Sequence, residues 1–391
     1  MSVPNYLPHL RAATRITMAQ PEGPEEEKSS PDRPEEEPEQ PNPAAQLEPL
    51  AWMKDCLAWG TRAQPGKHGM TMRAINIGLY GEVPEESRDM SRRPRGAFPI
   101  PGVPATDLYS VNRKEELWSD NAVDLYEEAV QRRWAAHIDV PWDDLEPLPE
   151  EAELAMRQLC TELAQQASTE TDVIGQWLHR MNYAYHEVKA FLATELFDTG
   201  RHYTVFRRRA LANGGSLGLE SPGHINRRLL ESRAGWTETA LYLYILRGTL
   251  TLLIYRYGEA YARNWTDKFL FRRCMEDKAR HMAYGMAHLK YAVEHRGPDY
   301  ALGLQRLMGG VERDLASEMK DPVLWEALAI IFGGGVRDIV AGMEVVKDLQ
   351  QQYIEQYLTR MKWIGVGKTR DNLNSDLAAY LRLPETSQAS A

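Results

Sequence analysis

The sequence predicts an all-α protein built around one large helical bundle, and three observations carry that prediction. The pentapeptide pattern DxxRH occurs twice, as Asp198-Thr199-Gly200-Arg201-His202 and Asp277-Lys278-Ala279-Arg280-His281. Each copy lies near the middle of a long run with helical periodicity, which is the mark of a helix pair used twice. Strand signals are lacking throughout, and 391 residues at 43% hydrophobic content suffice for a large core.

Taken in order, residues 1–49 read as a disordered acidic tail. Between Glu22 and Glu39 proline and acidic residues are countered only by Lys28 and Arg33, with too little apolar content to repay the entropy of ordering. Residues 50–117 are mixed, with Trp52, Trp59, Tyr80 and a Pro94–Pro104 run, and read as an irregular arm over the main domain. The helical domain is expected over 118–365 and a C-terminal tail over 366–391.

Within that domain, Ser119 or Asp120 is expected to cap a helix running through Tyr126, Val130 and Trp134. Residues 150–181 carry the stripe Met156, Leu159, Leu163, Ala167, Ile174, Trp177, Met181, at spacings of three and four, with Glu170 on it. A second long helix over 183–209 shows Val188, Phe191, Glu195, Thr199, His202 and Phe206 on one face. The stretch 212–223 is a loop. A third helix, 236–263, has Arg247 amid the apolar run 240–257, and a fourth, 266–295, ends at Gly297-Pro298 with Cys274, Lys278, His281 and His288 on its stripe. Further helices are expected over 299–318, 322–346 and 347–362, with Gly309-Gly310 and Gly333–Gly335 as interruptions.

Four helices thus carry ionisable groups where a core is expected. Buried unpaired, each would cost several kcal/mol, so they meet one another, bind something or line a wet cavity. Counting residues along antiparallel pairs puts Glu170 level with Thr199 and Arg247 level with Lys278. Glu170, Glu195, Thr199, His202, Arg247, Lys278 and His281 should then share one interior layer.

These residues give the chain its resemblance to the ferritin-like carboxylate-bridged diiron superfamily, specifically the branch of ribonucleotide reductase small subunits and bacterial diiron monooxygenases. The resemblance spans about 118–296, and Leu358-Thr-Arg-Met-Lys-Trp-Ile-Gly is also similar to that branch. It implies a ferritin-like four-helix bundle with flanking helices. It also implies that Asp198, Arg201, Asp277 and Arg280 orient the histidines, and that Glu170, Glu195, His202 and His281 are the candidate metal ligands. The departures are specific. Thr199 and Lys278 stand where the family's motif has Glu, and Arg247 stands where the third helix should supply one. Fixed cations beside a site for two divalent ions oppose their entry.

The reading favoured here is a charge-paired, metal-free layer, with no cofactor; the alternative is iron or manganese. The function classes that follow are a scaffold or accessory pseudoenzyme, an oxidoreductase acting on a small organic substrate through a single metal or a metal-independent site, and a diiron oxygenase with substitute ligands. Thr199, Arg247, Lys278 and Cys274 are the pocket candidates for catalysis. Tyr203, Tyr242, Tyr244 and Tyr284 read as packing residues with a hydrogen-bonded tip. A homodimer or a partner protein is expected, and a small-molecule substrate under the enzyme readings.

A net charge of −10 argues against nucleic acid. Arg247 within the most apolar stretch argues against a membrane span. Three isolated cysteines and no apolar leader near Arg11 and Arg15 point to the cytoplasm.

Overall fold

Helix boundaries follow local chemistry, and the computed structural model describes residues 62–93, 100–103 and 107–381. The expected acidic tail, most of the 94–106 segment and the last ten residues lie outside the described residues. α1 (Ala122–Gln131) is preceded by Asn121, not by Ser119 or Asp120, and ends before Trp134. α2 (Glu150–Leu178) opens with Glu150, Glu151 and Glu153 in its first turn, where acids complement the positive helix end. α3 (His186–Ala212) returns alongside it. α4 (His224–Glu231) is a short amphipathic turn set off by Gly223, whose φ of 61° suits glycine.

The third long rod is composite. α5 (Trp236–Ala240) runs into a π-helical segment, Leu241–Gly248, and continues as α6 (Thr249–Tyr261). α7 (Trp265–Arg296) starts at Asn264, whose side chain accepts the Asp267 N–H at 2.7 Å. α8 (Pro298–Glu318) begins with proline, and Gly309-Gly310 does not interrupt it. α9 (Pro322–Gly333) is capped by Asp321 and stopped by Gly334 at φ 87°. α10 (Ile339–Trp363) is continuous across the expected break near 346.

The core is a four-helix bundle. α2 packs along α3, and the 249–261 half of the composite rod packs along α7, while α9 and α10 cover the outside against α2 and α6. No strand forms among the described residues; only isolated bridges do, and three of them involve the 86–113 stretch. That stretch is anchored to the α2–α3 turn: Tyr185 Oη donates to the Asn112 carbonyl at 2.7 Å, and Asn182 Nδ2 to the Asp89 carbonyl at 2.6 Å. No described helix is long and apolar enough to cross a membrane.

Candidate functional site

The two DxxRH motifs face each other across the α3–α7 interface and are strapped reciprocally. His202 on α3 shares a hydrogen bond with Asp277 on α7 (Nε2 to Oδ2, 3.1 Å), and His281 on α7 shares one with Asp198 on α3 (Nε2 to Oδ2, 3.2 Å). Arg201 Nη2 bridges Asp198 and Asp277, the latter at 2.7 Å, and Arg280 bridges the same two carboxylates from the other side. Two guanidiniums against two carboxylates balance in charge, which lets all six side chains be buried. Burial pushes the Asp277 carboxyl up, but the His202 hydrogen bond and the Arg201 and Arg280 charges outweigh that and hold it far below the usual range. Burial also lowers the His202 pKa, so at neutral pH its imidazole is neutral.

Trp134, expected on the helix through Tyr126 and Val130, lies beyond that helix's end and joins this cluster instead. Its indole N–H donates to Asp277 Oδ2 at 2.8 Å, its carbonyl accepts from Arg201 at 3.2 Å, and its ring lies 4.5 Å from the Arg201 guanidinium carbon. Nothing in the sequence pointed to this role.

The bundle interior is occupied next to the straps. Lys278 Nζ donates to Glu170 Oε1 at 2.6 Å, with both side chains buried. Thr199 accepts a hydrogen bond from the Thr171 hydroxyl at 2.9 Å and donates to the Leu196 carbonyl at 3.0 Å, so it is satisfied between α2 and α3. Glu195 accepts from the Tyr244 hydroxyl at 2.9 Å through Oε2. Its Oε1 faces His281 Nδ1 at 3.8 Å, and neither atom has a hydrogen-bond partner. Burial raises the Glu195 pKa, against the opposing charges of His281 and Lys278.

Arg247 is not in this layer. Its Nη2 reaches Asn226 Oδ1 at 2.8 Å and Glu318 Oε1 at 3.3 Å, on α4 and α8. Burial would lower its pKa, but the Glu318 charge outweighs that and raises it. The cause of the misplacement is the π segment: its wider i→i+5 turns change the phase of the helix, so a count at 3.6 residues per turn points the wrong residue inward. The residue that faces Lys278 is Gly248, where an added Cβ would lie 3.7 Å from Lys278 Cε and overlap the Met282 sulfur.

The tyrosines divide between structure and site. Tyr244 lies over Gly285, where any side chain would overlap its ring. Tyr284 donates to the Leu117 carbonyl and accepts from the Trp236 indole. Tyr255 presents its ring edge-on to His202 at 6.0 Å and stacks on Phe206; its position on α6 gave no signal beyond an apolar stripe. Cys274 is fully buried and burial pushes its thiol pKa well up, while Lys278, the cation that could have lowered it, is committed to Glu170. The catalytic candidacy of Cys274 is therefore not supported by its surroundings.

Two antiparallel helix pairs and a reciprocal Asp–His strap define the architecture. The described helices form a four-helix bundle. No protein-family model and no curated protein matches the chain. Among solved structures it is similar to variants of an R2-like ligand-binding oxidase. A valine-to-isoleucine variant with an aerobically reconstituted Mn/Fe cofactor aligns at 16% identity and a TM-score of 0.43, covering 63% of this chain and 95% of that one. A valine-to-leucine variant, likewise reconstituted, aligns at 18% and 0.43 over 63% and 94%. A glycine-to-phenylalanine variant with an anaerobically reconstituted Mn/Fe cofactor aligns at 18% and 0.41 over 63% and 95%.

Whether this chain's own residues could hold a metal is a question of donors. Among the described residues no three His, Cys, Asp or Glu side chains converge as a metal site. Of the candidate site residues, Glu170 is taken by an ammonium, Thr199 by a neighbouring threonine and His202 by Asp277, while Glu195 Oε1 and His281 Nδ1 have no hydrogen-bond partner. That donor set does not fit a two-metal centre.

Proposed function

We propose that this protein is a metal-free ferritin-like scaffold or accessory subunit, a pseudoenzyme in which a buried charge pair takes the place of a metal ion's charge. The observation that carries the reading is the Lys278 ammonium 2.6 Å from Glu170 Oε1 in the middle of the bundle. A permanent cation there neutralises the carboxylate that would otherwise attract metal, and repels a divalent ion arriving beside it. A bundle without metal chemistry acts through contact, so the reading includes a homodimer or a partner protein. The free thiols of Cys160 and Cys274 fit a reducing, cytoplasmic setting.

The test is metal content by mass spectrometry on protein made in iron- and manganese-supplemented medium, alongside Lys278→Glu combined with Thr199→Glu. The native chain is expected folded and substoichiometric in metal, and the double variant to gain metal. Stoichiometric metal in the native chain, or unfolding by a chelator, would overturn the reading.

A second reading has its own support in the unpartnered Glu195 Oε1 and His281 Nδ1, 3.8 Å apart. Two orphaned donors facing one another suit a single cation, iron or manganese, in an oxidoreductase acting on a small organic substrate. Under that reading Glu195→Gln and His281→Ala each remove the metal from the native chain; under the scaffold reading they change no metal content.

A further inference from the structure

Among the described residues the fully buried arginines come with carboxylates. Arg201, Arg209, Arg247 and Arg280 each meet at least one, Arg209 through both Glu153 and Asp267. Arg360, half-buried on α10, does not. Its Nη1 donates to two neutral acceptors, Thr249 Oγ1 at 3.2 Å and Gln356 Oε1 at 2.8 Å, and no ion pair forms at it among the described residues. Burial lowers its pKa with no nearby charge to oppose the shift. A guanidinium partly withdrawn from water without an anion is held at a cost that an incoming anion would relieve.

Arg360 lines a surface groove of about 580 Å³ between α7 and α10, within the size range of small-molecule sites. Ala283, Met286 and Ala287 form the α7 wall, Thr359 and Trp363 belong to the other, and no acidic residue lines it. Trp363 is 51% exposed, and the Lys290 ammonium lies 4.8 Å from its ring. A large apolar surface left open beside an unpaired cation matches one kind of ligand in both halves.

We propose that this groove binds a small anionic amphiphile, with its carboxylate on the free edge of the Arg360 guanidinium and its apolar tail along Ala283, Met286, Ala287 and Trp363. The chain's net charge of −10 disfavours general attraction of anions, and Lys290, beside the Trp363 ring, is paired with Glu294 at 3.7 Å, so recognition falls to Arg360. The inference depends on neither reading of the bundle interior, because none of these residues belongs to the Lys278 or histidine cluster.

The test uses the full chain and calorimetric titration with decanoate and, separately, decanol. Decanoate is expected to saturate at one per chain and to bind at least tenfold more tightly than decanol. Arg360→Gln should bring decanoate down to the decanol level, Arg360→Lys should retain part of the preference, and Met286→Glu should abolish binding of both, with circular dichroism reporting the fold of each variant. If Arg360→Gln does not fold, the lysine and Met286 variants decide the matter. Equal binding of the two probes, no saturable binding, or sedimentation showing that Trp363→Ala splits a dimer would overturn the proposal; in the last case a second copy of the chain covers the groove.

Discussion

The Lys278 ammonium and the Glu170 carboxylate, 2.6 Å apart and both removed from solvent, join α7 to α2 through the centre of the bundle. Breaking such a pair from one side leaves a charge stranded, whereas removing both charges leaves only a packing problem. Lys278→Met should therefore cost about 3–5 kcal/mol in urea unfolding. Lys278→Met with Glu170→Met should recover most of that loss. A single-variant loss below about 1 kcal/mol would mean that water reaches the pair.

Gly285 and Gly310 lie in long helices and should respond oppositely to alanine. At Gly285 the new methyl overlaps the Tyr244 ring, which is held in place by its bond to Glu195, so a loss of about 1–3 kcal/mol is expected from overpacking. At Gly310 the space is open, and Gly310→Ala should stabilise α8 by about 0.5–1 kcal/mol through helix propensity. Thermal melts of the two variants check the contrast.

Acid should weaken the fold through His288. Its Nδ1 meets the Trp118 carbonyl at 3.1 Å, its Nε2 is unpartnered, and its ring stacks on Tyr284. Burial pushes its pKa down to about 4 from 6.5, with the Arg296 charge adding to the shift and the Trp118 bond opposing it. The unfolded chain therefore takes up a proton between pH 6.5 and 4 that the folded chain refuses, and stability falls as pH drops through that window. The loss at pH 5 relative to pH 7.5 should be about 2 kcal/mol. His288→Gln should flatten this part of the profile; an unchanged slope would assign the acid sensitivity to other groups.

Cys274 should be chemically silent in the native protein. Buried, with its thiol pKa raised, it offers no thiolate and no access to a reagent. Peptide mapping after iodoacetamide is expected to find it unlabelled at pH 8 and labelled only in denaturant. Native labelling would return it to the list of reactive residues.

The helical bundle was legible because the apolar stripes of α2, α3 and α7 keep a 3.6-residue period over many turns, and Glu170, Lys278 and the histidines fall on those stripes. What escaped was whatever broke the period. Arg247 was misplaced because it sits in a π segment whose wider turns change the helix phase, and nothing in Leu241–Gly248 distinguishes a π turn from an α turn in composition. Trp134 was assigned to a helix that stops at Gln131, so its bond to Asp277 had no antecedent. Gly309-Gly310 suggested a break that packing overrides, since Met308 and Val311 on either side are fully buried. Tyr255 reads as one more core aromatic until its neighbour His202 is known.

The crossed Asp–His bonds bear on how the halves of the bundle can move. Because each histidine is aimed by an aspartate on the opposite helix, neither α3 nor α7 can slide or rotate by a residue without undoing both bonds at once. The clasp works like a pair of alignment pins: it fixes one relative setting of the two helices and gives no intermediate stop. Any motion that opens the interior must then come from α2 or from the composite rod, whose π turns already depart from regular helix, while the pinned pair stays as a rigid reference.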